Sequence, residues 1–201
     1  IIVDERMRGR GLGRKLMMAA MAMAGDREQR LVATPEGMPL YEKLGFVAAG
    51  SILQHQGTAI AATPELPVRT GGAADTGRLA EMDHAASGMD RADLLRRLAE
   101  RGEVLHADGG FAILRAFGRG RVLGPVVARD SATARALIAE GAHRAAGTFL
   151  RIDLPEAQQL GDFAATLGLV HAGGGTAMIR SPGAAAPGGY TTFALVSQAL
   201  G

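Results

Sequence analysis

The chain has 201 residues, 47% of them hydrophobic and 21% charged, with a formal net charge of +2. That length fits one or two domains, and the composition supports a buried core and excludes a disordered chain. The near-neutral charge gives no whole-molecule field for nucleic acid, and the absence of cysteine excludes disulfides and thiolate chemistry by the protein. No apolar run reaches membrane-spanning length and no signal-peptide pattern is read, so the expected location is cytoplasmic, with neither membrane nor nucleic acid as a partner.

Ile1-Ile2-Val3 reads as the end of a core strand. A domain beginning there would lack the strands beside it, so an upstream segment holding much of an acceptor site is expected. Arg8-Gly9-Arg10-Gly11-Leu12-Gly13 follows and runs into Arg14-Lys15-Leu16-Met17, a helix start. A glycine-rich turn into a helix directs unpaired N–H groups and the positive end of the helix dipole at one place, a socket for phosphate oxygens. Glycine lets the backbone approach such an anion closely. Two better-known phosphate motifs fit worse. The dinucleotide fingerprint needs Gly at Arg14, and the nucleotide P-loop needs Gly-Lys-Ser/Thr at Arg14-Lys15-Leu16. Next, Arg30–Thr34 reads as a strand and Pro39–Phe46 as a short helix, with Pro39 in its first turn and Gly45 ending it.

Residues 63–72, with two prolines and two glycines, read as a linker into a further strand. Helices are predicted at Asp75–Ala86 and Asp90–Arg101, the latter with Leu94, Leu95 and Leu98 on one face and Asp90 as N-cap. A hairpin about Asp108-Gly109 joins Glu103–Ala107 to Gly110–Arg115. Then come a central strand at 121–128, a helix at Ser131–Glu140, a strand at Phe149–Leu154 and a helix at Glu156–Leu167. Strands at Thr176–Arg180 and Thr191–Ser197 close the order. This second stretch repeats the first. Leu44-Gly45-Phe46-Val47 returns 123 positions later as Leu167-Gly168-Leu169-Val170, and Pro35-Glu36 returns as Pro155-Glu156.

Arg-x-x-Gly-x-Gly at 8–13 and Tyr-Glu-Lys-Leu-Gly-Phe at 41–46 resemble the two hallmarks of the GNAT acyl-CoA N-acyltransferases. The resemblance implies an α/β (α+β) fold of tandem GNAT-like domains with mixed, mostly antiparallel central sheets flanked by helices. It divides the chain into 1–62, the C-terminal half of an acyl-CoA-binding domain, the linker 63–72, and 66–201, a degenerate GNAT-like domain that would fold alone. The first domain would be incomplete. It further implies an enzyme that moves an acetyl group from acetyl-CoA to the primary amine of a small molecule or peptide, by direct transfer in a ternary complex. In that pattern the two meet in a cleft where central strands splay apart. Backbone groups of Ile1–Val3, Ile2 and Val3 included, would pair with the pantetheine arm. The N–H groups of Gly9, Arg10, Gly11, Leu12, Gly13 and Arg14 would hold the pyrophosphate, with Arg8, Arg10, Arg14 or Lys15 adding charge. Tyr41 would be catalytic, because a phenol with reference pKa ~10 donates readily to a leaving thiolate of ~8.5. In the second stretch Arg129-Asp130-Ser131-Ala132-Thr133-Ala134 replaces the glycine loop and Ala164 replaces the tyrosine, so cofactor chemistry is not expected there.

Other readings of single residues stand beside these. Tyr41 also fits a plain core aromatic, and Met17, Met18, Met21 and Met23 fit helix packing better than a ligand surface. Asp4 and Glu5 suit a solvated or capping role, and no general base is identified. Asp153 either holds an amine or ends a strand in solvent. His55, His84, His106, His143 and His171 show no metal-ligand spacing, and no metal is expected. Competing functions are a non-catalytic module that binds CoA or another ligand, and a nucleic-acid surface on Arg6, Arg8, Arg10 and Arg14. The expected partner is a small amine, and a homodimer stays open.

Overall fold

A computed structural model describes residues 1–7, 9–183 and 185–201. The chain forms α1 (Leu12–Ala24), β1 (Gln29–Ala33), α2 (Met38–Lys43), β2 (Val47–Thr58) and β3 (Arg69–Gly71). Then follow α3 (Thr76–Ser87), α4 (Ala92–Arg101), β4 (Gly102–Ala107), β5 (Gly110–Phe117), β6 (Gly120–Ala128) and α5 (Ser131–Arg144). The last elements are β7 (Phe149–Pro155), α6 (Gly161–Thr166), β8 (Val170–Arg180) and β9 (Thr191–Ala194). The strands make one sheet in the order β1-β8-β2-β7-β6-β5-β4-β3, with β9 set against β6. Among the described residues only β6 and β7 pair in parallel. This is the mixed α/β, mostly antiparallel architecture read from the sequence.

Alternating side chains explain the layers. In β4 and β5, Leu105, Ala112 and Leu114 face a core shared with Leu137 and Ile138 of α5. Val104, Phe111 and Ile113 face the opposite side, where Leu79 and Met82 of α3 meet Leu95 and Ala99 of α4. Strands covered on both faces read as continuous apolar runs, as Phe111–Leu114 does. A third, smaller cluster joins Met17, Ala33, Tyr41 and Phe46 to Met178.

The repeat is visible in backbone detail. Phe46 N–H donates to Tyr41 C=O at 3.0 Å, and 123 positions later Leu169 N–H donates to Ala164 C=O at 3.0 Å. Gly45 and Gly168 have φ 85° and 82°, and Gly50 and Gly173 have φ 130° and 143°. These are values that side chains disfavour, so glycine is needed at both members of each pair. The sequence did not disclose that the copies interlock. β8 pairs with β1 along Gln29–Ala33 and with β2 from Val47 to Gln56, while β2 also pairs with β7. Strands of the two copies therefore alternate.

Several local expectations are corrected. Ile1–Val3 is not a paired strand. It has no strand partner among the described residues, and Ile2 is 98% exposed. Asp90 does not cap α4, whose flanking residue is Arg91. Arg91 is drawn away into a buried pair with Asp83, at 2.7 and 2.9 Å, and onto the carbonyls of Leu200 and Gly201. The helix expected at Glu156–Leu167 is broken at Gln159, which takes φ 53°, into a short 3-10 turn and α6. Leu160, Ala164 and Leu167 still reach the core. Of the four methionines in α1, Met17 and Met21 pack inward, but Met18 and Met23 are exposed.

Candidate active site

Two helix N-termini occupy equivalent places in the repeat and differ in chemistry. At α1 the N-cap is Gly11, in the left-handed region at φ 70° and with no side-chain cap, preceded by Gly9 at φ 74°. The first ladder bond runs from Lys15 N–H to Gly11 C=O at 3.0 Å. The N–H groups of Leu12, Gly13 and Arg14 meet no acceptor among the described residues. A Cβ on Gly9 or Gly11 would meet nothing within 4 Å, so the space above the turn is open. At α5 the N-cap is Asp130, whose Oδ1 accepts from Thr133 N–H at 2.8 Å, and that bond holds its carboxyl below the usual range. Among the described residues, one terminus presents donors without acceptors and the other supplies its own carboxylate.

Of the sequence-predicted residues, Val3, the glycine loop and Tyr41 lie beside α1. A Cβ on Gly13 would stand 3.6 Å from Val3 Cγ2 and 3.8 Å from Leu40 Cδ2, so the segment before the loop, the loop and α2 meet there. Arg14 and Lys15 are exposed, and Arg10 donates to Met7 Sδ at 3.3 Å. Arg8 lies outside the described residues. Asp4 accepts from the Arg6 backbone and pairs with its guanidinium at 3.0 Å, which holds its carboxyl below the ordinary value. That makes Asp4 a loop-closing group rather than a base. Tyr41 is 8% exposed, edge-on to Phe46 with ring centroids 6.0 Å apart. Its ring is core; only its hydroxyl remains for chemistry.

The splayed strands of the second copy are filled from within. β6 and β7 pair only at Arg121–Leu150 and Val122–Arg151 and then diverge. β9 enters the gap, pairing with Val126–Ala128, and Leu195 N–H donates to Asp153 C=O at 2.9 Å. A Cβ on Gly124 would lie 2.0 Å from Leu195 C=O, so glycine is what lets the strand in. Asp153 is fully buried there, bound by Arg151 at 3.0 Å and by Gln198 at 3.0 Å. It is not a solvated strand end. Arg115, 9% exposed, donates to Val196 C=O at 2.6 Å. Sequence reasoning missed this polar lock; its one signal was an arginine directly after the apolar run Phe111–Leu114.

A sheet opened at its parallel pair, with helices on both faces and a glycine turn into α1, defines an acyltransferase class of fold. Two models of the acetyltransferase (GNAT) domain match the chain, over residues 79–189 and 1–48. It is 31% identical over 213 residues to the Bacillus subtilis protein described as the uncharacterized N-acetyltransferase YitH, covering all of this chain and 75% of that one. A putative acetyltransferase from Pyrococcus horikoshii superposes with a TM-score of 0.78 at 20% identity, over 99% of this chain and 69% of that one. A GCN5-related N-acetyltransferase from Kribbella flavida superposes at 0.58 with 23% identity, over 89% and 50%. The chain belongs to the GNAT family and is an acetyltransferase of that type. Among the described residues no group of three or more His, Asp or Glu is placed to hold a metal, and no helix is long and apolar enough to cross a membrane.

Proposed function

We propose that the protein transfers an acetyl group from acetyl-CoA to the primary amine of a small molecule, and that the donor is held by the first copy alone. The observation carrying this reading is the contrast between the α1 terminus, open and with N–H groups that meet no acceptor among the described residues, and the α5 terminus, closed by Asp130. A pyrophosphate over Gly9–Arg14 gains hydrogen bonds and a favourable dipole, with Arg10, Arg14 and Lys15 adding charge at the rim. Over Asp130 it meets a like charge.

The Tyr41 hydroxyl is the donor to the departing thiolate, while the ring, packed against Phe46, keeps the residue in one orientation. An amine with a lysine-like pKa of ~10.4 costs about 4.6 kcal/mol to deprotonate at pH 7, so proton removal is a second requirement of the site. Steady-state assays with acetyl-CoA and a panel of primary amines test the reading. Thiol release that depends on one amine class supports it, and CoA binding without turnover on any amine contradicts it.

A further inference from the structure

A cavity of about 530 Å³ opens between β3, β4 and α3, at the edge of the sheet opposite β1 and so remote from the Gly9–Lys15 loop. Val68 and Met82 give it apolar walls, and Arg69, Arg78 and His106 line it together. His106 is 3% exposed. Its Nε2 lies 3.3 Å from Asp75 Oδ2, a contact of poor hydrogen-bond geometry, and it has no other partner among the described residues. A buried ring nitrogen left unpaired costs free energy and calls for an explanation. Asp75 spends the same Oδ2 on Gly72 N–H at 3.1 Å. Arg69 and Arg78 are exposed, and neither has an ion-pair or hydrogen-bond partner among the described residues. Two exposed guanidinium groups and a buried imidazole with only an ill-aligned Asp75 neighbour at its Nε2 among the described residues thus line a hollow with apolar walls.

We propose that this cavity binds a small organic monocarboxylate, its head held by Arg69 and Arg78 and its short apolar chain lying against Val68 and Met82. Guanidinium forks match a planar carboxylate. Asp108 also lines the cavity and Asp75 lies within electrostatic reach of Arg69, so the charge of the two arginines is partly offset, which suits a single negative charge better than a dianionic phosphate. Burial, with Arg69 and Arg78 beside it, holds His106 below its ordinary value, while Asp75 acts in the opposite sense. A carboxylate arriving between the arginines offsets their charge and raises the imidazole again, so His106 reports occupancy. The site stands apart from the acetyl-donor reading and does not depend on it.

The test is a titration of hexanoate into the full chain, followed by the His106 ring proton signal in NMR, assigned with His106→Gln. The expected result is a saturable shift below about 10 mM with an upward move of the His106 titration midpoint. Arg69→Leu and Arg78→Leu each weaken binding at least about tenfold, as loss of a charge-assisted pair does, while acetyl-CoA affinity is unchanged. No saturable shift, equal binding of hexanol, tighter binding of inorganic phosphate, or undiminished hexanoate binding by both variants would each overturn the assignment.

Discussion

Met178 of β8 and Tyr41 of α2 are buried in one cluster, although they belong to different copies of the repeat. The cluster that holds the proposed catalytic tyrosine therefore includes a side chain from the half that carries no glycine loop. Met178→Ala removes a side chain that is 2% exposed and leaves a cavity beside Met17, Ala33 and Phe46. Its expected cost is about 2–5 kcal/mol in chemical denaturation. A cost below about 1 kcal/mol would mean that the cluster closes over the gap.

The interlocked sheet also decides how the chain tolerates division. Both partners of β8, the strands β1 and β2, lie in the first copy. A fragment of residues 66–201, expected from the sequence to fold alone, therefore leaves β8 without β1 and β2 and exposes the β7 edge. The expected outcome is a fragment that melts without cooperativity or self-associates, read by circular dichroism and light scattering. A cooperative monomeric melt near that of the full chain would contradict this.

This is where the sequence stopped being legible. Its local signals carried far: the offset of 123 positions, Gly45 and Gly168, the Asp108-Gly109 hairpin and the Asp130 cap each set a backbone conformation within a few residues. Pairing across the sheet is different. Val47–Thr58 carries no mark that distinguishes β8 from a strand of its own copy as neighbour, because both offer similar alternating surfaces. The filling of the second cleft was equally hidden, since it depends on Gly124 admitting a strand that arrives some 70 residues later. The glycine turn at Gly9–Gly11 does run into α1, whereas Ile1–Val3, read as a strand whose neighbours lie outside the chain, has no strand partner among the described residues, because an apolar run needs a partner to become one.

Tyr41→Phe should lower kcat by about 10²–10⁴-fold at constant amine while changing acetyl-CoA affinity little. The ring and its contact with Phe46 are retained, so the melting temperature should hold. An unchanged kcat under conditions where chemistry is rate-limiting would leave Tyr41 as packing alone.

His55 is 4% exposed, opposite His171 at 5.6 Å between ring centroids, and burial holds its pKa below the ordinary value. The Leu53 carbonyl acts in the opposite sense, and His171 adds to the lowering. Because the folded value lies below the unfolded one near 6.5, only the unfolded chain takes up this proton as pH first falls past that point. Stability from His55 is thus full above about pH 7, declines through the sixes and levels off below the folded pKa. His55→Gln should flatten part of that decline in urea denaturation across pH 5–8, with His106 retaining the remainder. An identical pH profile in the variant would show that His55 is protonated equally in both states.

The central claim, that the open terminus of α1 holds the donor, meets its most direct test in calorimetric titration of acetyl-CoA into the wild type, Gly11→Val and Asp130→Gly. Valine at φ 70° strains the turn by about 1–2 kcal/mol and stands in the open space above it without touching the protein. The expected result is one site per chain in the wild type, no measurable binding in a folded Gly11→Val protein, and unchanged binding in Asp130→Gly. Undiminished affinity in Gly11→Val, or affinity lost only in Asp130→Gly, would contradict it.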